Sequence, residues 1–263
     1  MTVSAAQLSR RAMNATTFHT VQVVDGWLLR AAPVPFRRAN SAAVLHAAAA
    51  QPAELDRRLD QLSRFAARHG QNPRVQLAPP PLGTGTLDAL DAALAERGWE
   101  IEAPVSVQTA TCETVRERLL DASGSTPVDL RAEVLEPGSE GKPWGGDGML
   151  TPGAERISAF TLSLAAIGPA SVDVRATAGD ATVAAGVGVI EDGWVGVFGM
   201  QTHPAHRRRG AARAVLARIL EAAAQADCTH CYLQVEPDNA TAAALYQQLG
   251  FVEHHRYHYR RAP

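Results

Sequence analysis

The chain has 263 residues, enough for one large domain or two small ones. Hydrophobic residues make up 46% and charged residues 20%, a globular balance that excludes wholesale disorder. A formal net charge of −2 argues against a protein whose main task is coating nucleic acid or an anionic membrane.

In chain order, Leu8–Thr17 reads as a helix. Val21–Val24 and Trp27–Ala31 read as a hairpin across Asp25-Gly26. Ala53–His69 is a predicted helix, Arg74–Leu77 a strand, Thr86–Arg97 a helix ending at Gly98, and Trp99–Thr109 a strand. Gly124, Ser125 and Pro127 mark a linker, placed at 116–127 between a domain at 1–115 and another at 128–263. Val128–Leu135 reads as a strand, Glu136–Gly153 as a loop with three prolines and six glycines, and Ala154–Ile167 as a helix.

Val172–Val174, Thr182–Ile190 and Trp194–Thr202 then alternate valine with small or polar residues, as strands do. Glu191-Asp192-Gly193 is the turn between the last two. Gly210 to Ala226 carries apolar residues at three- and four-residue spacing and reads as a helix. Tyr232–Val235 is a strand, and Asn239–Leu249 a helix with Asn239 as N-cap and Gly250 past its end. Phe251–Arg260 returns as a strand or hairpin. The helices ending at Gly98-Trp99 and Gly250-Phe251 close alike, which suggests a duplicated fold.

The segment His203 to Arg213 carries the chemistry. A strand ends, a tight arginine-rich loop follows, and a helix begins at Gly210. Helix N-termini expose unpaired N–H groups at the positive end of the dipole and bind phosphate. Gly210 and Ala212 leave room for a pyrophosphate, and Arg207, Arg208 and Arg209 add charge. An ordinary helix start with solvated arginines fits the loop composition equally well. Nucleic-acid binding is disfavoured, because the basic run is short and lacks interleaved aromatics.

Arg207-Arg208-Arg209-Gly210-Ala211-Ala212 resembles the Arg/Gln-x-x-Gly-x-Gly/Ala signature of the GCN5-related N-acetyltransferase (GNAT) superfamily. Asn239, Ala242, Tyr246, Gly250 and Phe251 are similar to its Asn-x-x-Ala-x-x-x-Tyr-x-x-x-Gly-Phe pattern. The resemblance covers about 128–263. Gly26-Trp27-Leu28-Leu29-Arg30 and Arg37-Arg38-Ala39-Asn40-Ser41 resemble the degenerate N-terminal repeat of two-domain bacterial members, where no acetyl-CoA signature is found.

The resemblance implies an α/β fold of tandem GNAT-like domains. Each is a mixed, mostly antiparallel sheet flanked by helices, and the C-terminal one has a splayed central strand pair. It implies acetyl-CoA as co-substrate and a primary amine, small molecule or protein amino group, as acceptor. Met200 and Thr202 would offer backbone groups to the thioester and pantetheine arm, and the amides of Arg207 through Ala212 would hold the pyrophosphate. Asn239 would reach the arm or act only as a helix cap. Tyr246, two helical turns after Asn239, would be the general acid for the departing thiolate, its alternative being a core tyrosine. Val195–Thr202 lacks the carboxylate many family members place there, so Glu236 is the substitute base, with His203 or a water relay as alternatives. A non-catalytic acyl-CoA-binding or regulatory module is the rival reading, motivated by that missing carboxylate.

Cys112, Cys228 and Cys231 cannot complete a disulfide framework. Cys228-Thr229-His230-Cys231 has metal-ligand spacing without a second ligand pair, so no metal is expected and Cys231 reads as a buried apolar residue. Arg30, Arg38 and Asn40 are read as reaching an inter-domain cleft, and His255, Tyr257 and Tyr259 as one strand face. No membrane span is found, since the longest uncharged stretch, Ile157 to Val172, is short and interrupted by Gly and Pro. With no signal segment the expected compartment is the cytoplasm. Lys142 is the only lysine, an Ala/Arg-rich usage associated with GC-rich bacteria. A homodimer stays open.

Overall fold

The computed structural model describes residues 3–33, 36–47, 51–82, 85–121, 130–135 and 167–263. The chain divides into two units. The first holds Met1–Val107, Glu236–Asp238 and His254–Pro263; the second holds Gln108–Val235 and Asn239–Glu253. The expected loop Glu136–Gly153, the expected helix up to residue 166 and residues 122–127 of the expected linker lie outside the described residues.

In the first unit, helix α1 (Ala5–Asn14) begins earlier than its apolar periodicity predicts. Ser4 and Gln7 form a reciprocal capping box, with Gln7 N–H donating to Ser4 Oγ at 3.2 Å and Ser4 N–H to Gln7 Oε1 at 2.8 Å. Strands β1 (Thr20–Val24) and β2 (Trp27–Ala31) pair antiparallel. Their turn places Asp25 and Gly26 both at positive φ, 44° and 81°, as a two-residue hairpin requires. Then come β3 (Ala42–Val44), α2 (Pro52–Arg68), β4 (Arg74–Gln76), α3 (Asp88–Glu96) and β5 (Glu100–Thr111), which runs on into the second unit. The last strand, β11 (Val252–Arg261), completes the sheet order β1-β2-β3-β4-β11-β5. Its core is Trp27, Leu29, Leu55, Leu62, Phe65, Val75, Leu94 and Trp99. β3 has only three residues, too few for a period-2 pattern, so it is invisible to sequence reading.

The second unit begins with α4 (Cys112–Asp121), which occupies the stretch where a linker is expected from residue 116. Val115 and Leu119 bury one side of it, so packing outweighs its polar composition. β6 (Leu130–Val134), β7 (Ala170–Ala178), β8 (Ala181–Glu191), β9 (Trp194–Thr202), α5 (Ala211–Gln225), β10 (His230–Val235) and α6 (Ala240–Gln248) follow. The sheet order is β10-β9-β8-β7-β6, antiparallel except for the β9/β10 pair. This is the expected mixed, mostly antiparallel sheet flanked by helices.

Helix α5 buries Val215, Leu216, Ile219, Leu220 and Ala223, each at 0% exposure. Burying each large aliphatic side chain contributes about 1.5–3 kcal/mol. Glycines on β8 set the depth of the helix. A Cβ at Gly188 would stand 2.8 Å from Ile219 Cγ2, closer than carbon atoms approach.

Two helices end alike, as their sequences suggest. Gly98 and Gly250 take φ of 77° and 91°, and the following aromatic N–H groups reach back five residues, Trp99 to the Leu94 carbonyl and Phe251 to the Tyr246 carbonyl, both at 3.0 Å. Each is a left-handed glycine cap locked by an apolar residue beyond it.

Candidate active site

Strand β9 is flanked by β8 and β10 but does not pair with both along its whole length. Parallel pairing to β10 runs from His230↔Trp194 to Leu233↔Val197 and goes no further, while β9 continues to Thr202 and β10 to Val235. The outer half of β9 therefore has one side paired to β8, through Ala185↔Gln201 and Ala184↔Thr202, and the other side unpaired among the described residues. The cause lies in a bulge. Two residues of β8, Ala185 and Val187, face Gln201 and Phe198, so β9 accommodates Gly199 and Met200 as extra length. Gly199 takes φ of 60°, which a side chain would oppose.

Met200 lies in this bulge with its sulfur turned toward Gly186, where any Cβ would collide with it. Below the bulge, Gly196 leaves space for the rings of Tyr232 and Phe198, which pack edge to face at 5.8 Å. The open stretch of β9 thus rests on a packed floor while its free edge still carries backbone N–H and C=O groups.

The chain leaves β9 at His203, whose N–H donates to the Val183 carbonyl at 2.8 Å. A single 3-10 turn, Pro204–His206, leads to the arginine run. Arg208 takes φ of 63° and Gly210 φ of 83°. A left-handed arginine costs about 1–2 kcal/mol over the right-handed conformation. Left-handed residues alternating with ordinary ones make a concave nest of amides. Gly210 is the N-cap of α5, and among the described residues no side chain caps that helix. The first bond of the helix is from Ala214 N–H to the Gly210 carbonyl at 3.0 Å, so the preceding amides have no intrahelical acceptor. Arg207, Arg208 and Arg209 are exposed, and among the described residues none of them forms an ion pair. Ala211 is buried beneath the nest and Ala212 half-buried.

Asn239 caps α6, its side chain accepting from the Ala242 N–H at 3.2 Å. Tyr246, on the same helix, is 7% exposed and packs edge to face on Phe251 at 5.7 Å. Burial pushes its phenol up to about 12. Its hydroxyl has no hydrogen-bond partner among the described residues, whereas a buried tyrosine ordinarily finds one. Arg213 donates to Gln248 Oε1 at 3.1 Å and Arg118 to the Gln248 carbonyl at 3.1 Å, which ties the end of α6 to α4 and to the first turn of α5. These two arginines are invisible as site supports in the sequence, because their partner is a glutamine and a carbonyl rather than an acid.

Met200, Thr202, Arg207–Ala212, Asn239 and Tyr246 all belong to the second unit. Glu236 belongs to the first. It is held by Arg37 at 2.8 Å, and the same guanidinium lies 3.5 Å from Glu102. The sequence gives no sign of this, since 199 residues separate the pair.

Sequence reading passes over a buried ion pair on β7. Asp173 and Arg175, each 7% exposed, form two bonds of 2.7 and 2.6 Å on one strand face. Arg175 stands opposite Ala185, which stands opposite Gln201 on β9. The i, i+2 spacing would have located them together on one face.

The three cysteines are free thiols gathered in the second unit, all buried. A hydrogen bond from Cys231 holds Cys112 below the usual thiol range, while burial pushes Cys228 up to about 11. Cys231, at 0% exposure, sits in the core as expected. No helix among the described residues is long and apolar enough to cross a membrane.

Residues 159–260 match the family described as "Probable histone acetyltransferase Rv0428c C-terminal". Among curated proteins, none matches the chain. A GCN5-related N-acetyltransferase from Kribbella flavida has a similar structure, with a TM-score of 0.65 and 15% identity over 100% of this chain and 97% of that one. A tandem GNAT protein from the clavulanic acid biosynthesis pathway matches 90% of this chain and 78% of its own, with a TM-score of 0.62 and 13% identity. A conserved protein from Staphylococcus epidermidis, described as functionally unknown, has a TM-score of 0.59 and 10% identity over 93% and 94%. At these identities the likeness is one of fold. The chain therefore has the fold of GNAT proteins, and its residues 159–260 carry a sequence match to an acetyltransferase family.

Proposed function

We propose that the protein is an acetyl-CoA-dependent N-acetyltransferase that moves the acetyl group to a primary amine by direct attack, with the second unit as its catalytic part. The observation that carries this reading is the uncapped N-terminus of α5 standing at the end of the unpaired edge of β9. An anion-binding nest and a free strand edge, joined by a short turn, fit a long ligand with a diphosphate at one end and an amide-bearing arm at the other.

Acetyl-CoA would supply the thioester, whose carbonyl the amine attacks and whose thiolate leaves. The chain's own groups would do the rest. The Arg207 N–H donates to the Pro204 carbonyl at 3.4 Å, so the amides of Arg208 through Ala212 would hold the diphosphate, and the three exposed arginines would draw it in. The free backbone of β9 around Met200 and Thr202 would pair with the arm and direct an N–H at the carbonyl oxygen. Asn239 would stay a helix cap that keeps Tyr246 in place.

Tyr246, kept protonated by burial, would donate its unshared hydrogen bond to the departing sulfur. With a phenol near 12 and a thiol near about 8.5, complete proton transfer is uphill, so the role fits hydrogen-bond stabilisation of the thiolate more than full protonation. An alkylammonium with a pKa near about 10 is only about 0.1% neutral at pH 7, equivalent to roughly 4 kcal/mol. Because Glu236 is engaged by Arg37, that proton would pass to water.

The missing carboxylate on β9 favours one other reading, a non-catalytic acyl-CoA-binding module. A CoA-release assay over a panel of primary amines separates the two. The transferase reading expects turnover that falls about 10²–10³-fold in Tyr246→Phe, the usual weight of one hydrogen-bond donor to a developing negative charge. Tight acetyl-CoA binding with no turnover on any amine supports the binding module instead.

A further inference from the structure

We propose that Gln201 selects the acceptor, favouring a primary amine that carries an amide close to its nitrogen. This rests on the acetyl-transfer reading and adds to it the face from which the amine arrives and the chemistry it meets there.

An acetyl group lying against the outer half of β9 can be approached from either face of the sheet. Helix α5 closes the first. Gly186, on β8, turns the place of its absent side chain toward that helix, where a Cβ would stand 2.9 Å from Val215 Cγ1 and 3.5 Å from Ile219 Cδ1. The Met200 sulfur fills the same place. Val215 and Ile219 are each 0% exposed, so no amine reaches the thioester through this packing.

The second face carries Gln201. Residues directly opposite on antiparallel strands share a face, and neighbours along a strand alternate. Gln201 stands opposite Ala185, and Ala185 opposite Arg175, so the three side chains form one row. Ala185 adjoins Gly186 on one side and Ala184 on the other, and both of these face the α5 core. The row therefore lies on the face away from α5.

Within that row the covering thins toward β9. Ala185 is 3% and Arg175 7% exposed, whereas Gln201 is half-buried. Asp173 takes up the Arg175 guanidinium through bonds of 2.7 and 2.6 Å. Ala185 offers Gln201 a methyl and no polar atom. The Gln201 carboxamide makes no hydrogen bond among the described residues. Its backbone lies between those of Met200 and Thr202, so the unshared carboxamide stands beside the place of acyl transfer.

A carboxamide has a carbonyl acceptor and two N–H donors but no charge. It gives no ion pair to a second ammonium and no hydrogen bond to a plain alkyl chain. An amide on the acceptor engages its donor and its acceptor together. The sequence Val195–Thr202 holds no carboxylate, so β9 itself adds no pull on a doubly charged amine.

The test compares glycinamide with propylamine as acceptors in a CoA-release assay, using the wild type and Gln201→Met. Methionine keeps the length of the side chain and removes its hydrogen-bonding atoms. The ratio of kcat/KM for glycinamide to that for propylamine is expected to fall about five- to tenfold in the variant, the weight of one neutral hydrogen bond, mainly through the KM for glycinamide. The unequal basicity of the two amines is common to both proteins and cancels in this comparison. A displaced β9 would slow both amines alike and leave the ratio unchanged, so the ratio separates a contact from a structural role. The proposal alone is overturned if the ratio is the same in both proteins, or if the wild type acetylates other primary amines but not glycinamide. Failure of every amine overturns the transferase reading and the proposal together.

Discussion

Replacing Gly210 by alanine tests the diphosphate nest most directly, because the substitution has a backbone effect and a ligand effect that a control can separate. Gly210 has φ of 83°, and a Cβ in that region costs about 1–2 kcal/mol. For a protein of this size each kcal/mol lowers Tm by about 2–4 °C, so a fall of roughly 2–8 °C is expected. Gly98 provides the control. It has φ of 77°, and a Cβ there would meet nothing within 4 Å, so Gly98→Ala incurs the same backbone penalty in the first unit and touches no ligand. Alanine keeps the N–H, but a methyl that holds the diphosphate off one amide hydrogen bond costs about 1.5–3 kcal/mol, which is roughly ten- to a hundredfold in Kd. Calorimetric titration with CoA should therefore show that weakening for Gly210→Ala and none for Gly98→Ala. If both variants lose a few degrees of Tm and both bind CoA as the wild type does, the amides at the start of α5 do not hold the diphosphate.

Burial raises the Tyr246 phenol from 10 to about 12, so the folded state keeps a proton that the unfolded chain gives up first. Its contribution is intact below pH 10 and is lost as pH rises from 10 toward 12, to the extent of about 2–3 kcal/mol. Denaturation midpoints across pH 9–12 should fall less steeply in Tyr246→Phe than in the wild type. In the buried Asp173–Arg175 pair, Asp173→Asn alone leaves a buried cation and should destabilise by about 3–5 kcal/mol, while Asp173→Val combined with Arg175→Met should cost clearly less, as denaturant unfolding will measure. All three thiols are buried, so a thiol reagent should titrate none in the native protein and three after guanidinium unfolding.

Local chemistry made much of this chain legible from its sequence. The hairpin at Asp25-Gly26, the turn at Asp192-Gly193 and the helix ends at Gly98 and Gly250 each depend on a left-handed backbone that few residues accept, so the residue names the conformation. Helix α5 and strands β8 and β9 follow from apolar spacing alone. The nest at Arg208–Gly210 and the cap at Asn239 are likewise local, which is why the motif residues fall where the sequence puts them.

Interactions between residues distant in sequence were decided only by the tertiary structure. The parting of β9 from β10 depends on a bulge whose cause is shared between β8 and β9. The capture of Glu236 by Arg37 joins residues with no local pattern in common. Arg30 is 1% exposed, though its charge would look ordinary in any exposed strand. Burial and long-range pairing alter the free energy of a side chain only when the chain has folded around it, and no periodicity or motif encodes that in advance.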